Sequence, residues 1–138
     1  MYEIFDHTAD LGLRIRADGL AELFAESARA LFSVIVANFE RVRPLERLTF
    51  ALEAQRRDEL LRDWLGELLY VFHTRRLVFS QFAVNLGDGD VRLRATAEGE
   101  PIDPARHEID TEIKAITYHG LQVARRGNGW LAEVILDV

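Results

Sequence analysis

A chain of 138 residues, 49% hydrophobic and 29% charged, has the length and composition of one globular domain with a substantial core, which excludes a disordered or fibrous class. The absence of cysteine excludes a disulfide framework, thiolate metal sites and cysteine nucleophiles. A net charge of −6 argues against nucleic-acid binding through the overall field, because such binding rests on neutralised phosphates.

The opening residues, Met1-Tyr2-Glu3-Ile4, lack a basic stretch followed by an apolar one. No apolar run approaches the roughly eighteen residues of a membrane span, so a soluble, cytoplasmic protein is expected. Tyr2 and Ile4 alternate with polar residues, and then Leu11, Leu13, Ile15 and Ala17 fall on one side with Arg14, Arg16 and Asp18 on the other, the period of half-buried strands. Between the two lies Asp6-His7-Thr8-Ala9-Asp10-Leu11-Gly12, a polar, titratable knot at a strand turn. Asp and Thr side chains bond nearby backbone, so a plain turn explains the knot as well as a site does.

Asp18 is placed to cap a helix over Leu20 to Ala37, with Leu20, Leu23, Phe24, Ala28, Leu31, Phe32 and Ile35 apolar and a narrow polar face. Leu48, Phe50, Leu52 and Ala54 alternate as a third strand. A second helix starts at Asp58 or Glu59, buries Leu60, Leu61, Trp64, Leu65, Leu68, Leu69 and Phe72, and closes at His73-Thr74-Arg75. Helices apolar over so much of their circumference need cover on more than one side, which favours two helices held between sheets. The rest reads as strands: Leu77 to Leu86, a hairpin turn at Gly87-Asp88-Gly89-Asp90, Val91 to Ala97, a loop from Gly99 to His107, then strands over about Glu108 to Thr117, Leu121 to Arg125 and Trp130 to the end.

Chemistry-bearing motifs are few. There is no glycine-rich phosphate loop before Lys114, no Gly-x-Ser-x-Gly elbow, and no i, i+4 histidine pair among His7, His73, His107 and His119. Two features stand out. The final strand ends in two carboxylates, the Asp137 side chain and the α-carboxylate of Val138; with Asp10 alongside, three hard oxygen donors would suit Mg²⁺, Mn²⁺ or Ca²⁺, whereas apart they are solvated strand ends. Of the 17 basic residues only Lys114 is lysine, placed by strand alternation on one face with Ile116 and Tyr118. It is either a snorkelling edge residue or a cation set beside a carboxylate or phosphate.

His7-Thr8-Ala9-Asp10-Leu11-Gly12, Trp64-Leu65-Gly66-Glu67-Leu68-Leu69-Tyr70, the Gly99-Glu100 to His107 loop, Ile113-Lys114-Ala115-Ile116-Thr117-Tyr118-His119 and Val134-Ile135-Leu136-Asp137-Val138 together resemble the archease family, in order and over the whole chain. The resemblance implies an α+β fold, a layered β-α-β sandwich with two helices between mainly antiparallel sheets, in a single domain over residues 1–138. It implies a protein without catalysis of its own that acts as cofactor of the GTP-dependent tRNA-splicing RNA ligase, promoting its guanylylation and multiple turnover. Family metal positions fall on Asp10, Asp137 and the carboxylate of Val138, the activating lysine falls on Lys114, and His7 and His119 stand near the site. The competing classes are a divalent-metal-dependent phosphoesterase and a general chaperone or adaptor of RNA-processing proteins.

Overall fold

The computed structural model describes residues 1–7 and 10–138, and Thr8 and Ala9, in the middle of the expected turn, lie outside the described residues. The elements run β1 (Tyr2–His7), β2 (Asp10–Ala17), α1 (Leu20–Ile35), β3 (Glu46–Glu53), α2 (Arg57–Arg75), β4 (Leu77–Gly87), β5 (Arg92–Pro101), β6 (Ala115–Ile116), β7 (Gln122–Arg126) and β8 (Gly129–Asp137), with a short 3-10 turn at Phe39–Arg41. The N-terminal alternation makes the β1–β2 hairpin, and β8 lies against the other side of β2. Both β6 and β7 pair with the far side of β8, which completes a five-stranded antiparallel sheet. A second sheet has the order β3-β5-β4, also antiparallel.

The helices fill the space between the sheets. α1 packs on β2 and β8 from one side and on β4 from the other; α2 touches β6 and β7 as well as all three strands of the smaller sheet. This is the layered sandwich that the apolar circumference of the helices requires. Trp64 of α2 is fully buried, and its indole N–H donates to the Phe24 carbonyl of α1 at 3.1 Å, which ties the helices together. Its ring meets Phe50 and Phe82 edge-on, with centroids 5.3 and 6.4 Å away, and so fixes α2 on the smaller sheet.

Local chemistry departs from expectation in four places. Asp18 does not cap α1: Gly19 occupies the N-cap position and no side chain bonds the free amides. α1 ends at Ile35 because Val36 is extended and bridges to Ile109. The segment from Glu108 to Lys114 is therefore not strand, since its backbone bonds the end of α1 through Ala37 N–H to the Glu108 carbonyl and Asp110 N–H to the Ile35 carbonyl. Simple alternation also fails around Lys114: Ile113 and Ile116 are buried while Lys114 and Ala115 are both exposed, so Lys114 does not share a face with Ile116.

The 101–107 loop is held by a buried polar hub. Glu100, only 2% exposed, accepts from the Arg43 amide (2.7 Å), the Arg43 guanidinium (3.0 and 3.2 Å), Arg106 Nη1 (2.7 Å) and His107 Nε2 (3.1 Å). His107 Nδ1 accepts from the Asp103 amide at 2.9 Å, which places the ring proton on Nε2, facing Glu100. Burial opposes ionisation of Glu100, but the hydrogen bonds from Arg106, Arg43 and His107 outweigh it and hold the carboxyl well below the usual carboxylate range.

Candidate functional site

Strand register brings the sequence-predicted residues to one end of the larger sheet. His7 and Asp10 are the closing pair of the β1–β2 hairpin, the β2–β8 ladder ends at Leu11↔Leu136, and Asp137 pairs with Ala115. Continuing the antiparallel register by one residue sets Asp10 beside Asp137. Leu11, Leu13, Ile15 and their partners Leu136, Val134 and Ala132 point into the core, so Asp10 and Asp137 point to the outer face. Gly12 is on that outer face too, and the ring of Phe5 lies across the position where a Cβ would stand. The Arg14 guanidinium covers that ring at 4.6 Å and reaches Glu133 at 3.2 Å, which continues the outer face away from the site.

The segment after β6 folds back over the same face. Thr117 Oγ1 donates to the Ile135 carbonyl at 3.0 Å, and His119 arrives with its ring centroid 5.3 Å from that of His7. His7 Nδ1 stands 4.0 Å from Asp10 Oδ2 and, among the described residues, is a buried nitrogen without a hydrogen-bond partner. Asp137 is exposed, Val138 is partly buried against the core, and neither aspartate meets an arginine or lysine among the described residues. Carboxylates gathered without a counter-ion fit a cation. Among the described residues no three His, Cys, Asp or Glu side chains are set to hold a metal ion, so the side chains supply two oxygen-bearing groups and the carboxylate of Val138 would have to be the third.

Lys114 is joined to this corner through the backbone, its N–H donating to the Asp137 carbonyl at 2.7 Å. It lines a groove against α2 together with Arg62, Asp63, Gly66, Glu67 and Tyr70. The sequence singles out Lys114 and includes Gly66, Glu67 and Tyr70 in the α2 motif of the resemblance, but assigns these α2 residues no role at the site; the signals for one are a glycine in mid-helix and an aromatic, Tyr70, that is 62% exposed.

The archease protein family model matches residues 2–138. The chain is 37% identical over 139 residues to protein archease of Methanopyrus kandleri, with 99% of each chain covered. It is 39% identical over 140 residues to that of Pyrococcus furiosus, covering 99% of this chain and 98% of the relative. Among solved structures, the solution structure of Methanobacterium thermoautotrophicum protein 1598 superposes with a TM-score of 0.86 at 35% identity, covering 99% of this chain and 98% of that one. A Thermotoga maritima archease, described as a possible chaperone, shares the fold with a TM-score of 0.68 at 22% identity, covering 100% and 98%.

Proposed function

This chain belongs to the archease family, and from that premise we propose that it is a non-catalytic protein cofactor of the GTP-dependent tRNA-splicing RNA ligase, promoting ligase guanylylation and multiple turnover in the cytoplasm. The observation that carries this reading is the placement, at one sheet end, of a lysine and an acidic corner that do not pair with each other among the described residues. The chain's one lysine stands exposed, its amide bonded to the Asp137 carbonyl, and continuing the β2–β8 register one step past Leu11↔Leu136 sets Asp10 beside Asp137. Attack on a nucleoside triphosphate builds negative charge that a placed cation offsets. A flexible ammonium at a protein edge reaches a phosphate or carboxylate in a partner's pocket more readily than a fixed one.

Asp10, Asp137 and the carboxylate of Val138 would hold a divalent ion, Ca²⁺ or Mg²⁺/Mn²⁺, and the oxygen chemistry of that set suits these ions. When bound, such an ion supplies charge compensation for the triphosphate. The chain's own residues orient the corner: the β1–β2 hairpin fixes Asp10, β8 fixes Asp137, and the Lys114 N–H bond holds the lysine at a set distance along the edge.

The test is multiple-turnover ligation of a cyclic-phosphate RNA by a cognate ligase, with wild type and Lys114→Ala side by side. Stimulation by the wild type that the variant loses is expected. Equal stimulation by both refutes the role of Lys114, and phosphate release from simple esters without any ligase would mark an enzyme instead.

A further inference from the structure

Arg62, Gly66, Tyr70 and His73 run down one stripe of α2 at helical spacing and form a wall of an open groove of about 470 Å³, opposite Lys114, Ala115 and Ile116. A bridge closes each end. His73 Nε2 meets the Ile113 carbonyl at 2.9 Å, and the Arg62 guanidinium lies 4.3 Å from the ring centroid of Tyr118.

The groove holds groups that the fold itself leaves unused. Gly66 sits inside a 19-residue helix, where glycine is the poorest former after proline, yet a Cβ there would meet nothing within 4 Å. No packing among the described residues demands the glycine; what it leaves is open space over the helix backbone. Arg62 Nε is buried and without a hydrogen-bond partner among the described residues, a state that folded proteins rarely leave uncompensated. Lys114 and Glu67, on facing walls, enter no ion pair among the described residues. Tyr70 and Tyr118 stand 62% and 61% exposed at the rim. Tyrosine and arginine are the residue types that anchor protein interfaces, and the Asp63 and Glu67 carboxylates disfavour a nucleic-acid backbone.

We infer that this groove is the docking slot for an extended segment of the partner protein, one that carries a carboxylate for Lys114 and a cationic side chain for Glu67. The inference rests on the cofactor reading above, with the ligase as that partner. The segment's backbone lies over Gly66, where no side chain obstructs it, and its side chains meet the tyrosines. Lys114 is then held by docking beside the Asp10–Asp137 corner, with which it shares the Asp137 carbonyl.

The experiment measures ligase affinity and multiple-turnover stimulation for wild type, Gly66→Leu, which fills the slot, Glu67→Arg, which reverses one wall charge at the surface, and Thr49→Arg, on the outer face of the smaller sheet. A photo-crosslinking phenylalanine analogue is placed at Tyr70 and, in a separate protein, at Thr49. The expected result is a loss of affinity of tenfold or more for Gly66→Leu and Glu67→Arg, unchanged binding by Thr49→Arg, and a ligase crosslink from position 70 only. Glu67→Arg keeps the test open if Gly66→Leu does not fold. Wild-type stimulation with unimpaired binding by Glu67→Arg, or an equal crosslink from position 49, overturns the slot and leaves the cofactor reading standing. A wild type that neither binds nor stimulates a cognate ligase overturns both.

Discussion

Replacing Glu100 by Gln removes one charge and one acceptor oxygen from a hub that has neither to spare. Oε1 accepts from three donors, two on Arg43 and one on Arg106, and Oε2 accepts from the Arg43 amide and His107. A glutamine amide must turn its NH₂ toward one of these sets, and His107 cannot relieve the clash because its Nδ1 already accepts from Asp103. Breaking a buried ion pair from one side costs about 3–5 kcal/mol. Arg43 and Arg106 keep 55% and 26% side-chain exposure and so part of their hydration, which places the loss near the lower end, ~3 kcal/mol. At roughly 2.1 cal/mol/K per residue the 138-residue chain unfolds with an entropy of about 0.29 kcal/mol/K, so the Tm should fall by about 10 °C. The pH dependence has a definite sign. The folded pKa of Glu100 is lowered from 4.5, so its contribution is complete above that value and is lost as pH falls through the folded pKa. Thermal unfolding followed by circular dichroism should show a constant deficit for Glu100→Gln from about pH 8 to pH 5, narrowing in more acid solution. A Tm drop under about 3 °C at pH 7, or a gap that widens on acidification, would refute the reasoning.

Gly12→Ala drives a methyl into the Phe5 ring and should destabilise the chain by about 1–3 kcal/mol, with the His7–Asp10 end of the hairpin displaced; chemical denaturation and NMR shifts of the two residues check both parts. Gly66→Ala, whose methyl meets nothing, should instead stabilise by up to ~1 kcal/mol in the same measurement, and destabilisation would mean that the fold needs the glycine after all. Asp10→Ala and Asp137→Ala should each lose divalent-ion binding by calorimetry together with ligase stimulation; a variant that loses the ion but still stimulates would separate the two.

The two helices and most strands were legible because burial on one or two sides imprints a period on the sequence, as Leu20 to Ile35 and Leu11 to Ala17 illustrate. What failed were features decided by contacts distant in the chain. Asp18 has the right chemistry for a cap, but Gly19 takes that place. Glu108 to Lys114 alternates like a strand, yet its partner is the end of α1. Asp10, Asp137 and Lys114 could be picked out by residue type, but that the two aspartates adjoin depends on the β2–β8 register, and that Lys114 faces α2 depends on a local break in alternation. The Glu100 hub joins residues 43, 100, 106 and 107, and no short-range pattern announces it.

The position of β8 bears on how the chain is made. Residues 20–101 contain both helices and every strand of the smaller sheet, so two of the three layers can meet while synthesis is still under way. The β1–β2 hairpin precedes the other elements in the chain, yet its neighbour β8 is the last of them to emerge, and among the described residues β6 and β7 also have no other strand to pair with. Hairpins alone are marginal in water. Until Gly129–Asp137 arrives, the free edge of β2 and the strands β6 and β7 wait unpaired, and this interval is when aggregation threatens and a holding chaperone would be of most use. The last strand closes the sheet and, in the same step, sets Asp137 beside Asp10, so the acidic corner exists only in a chain that has finished folding.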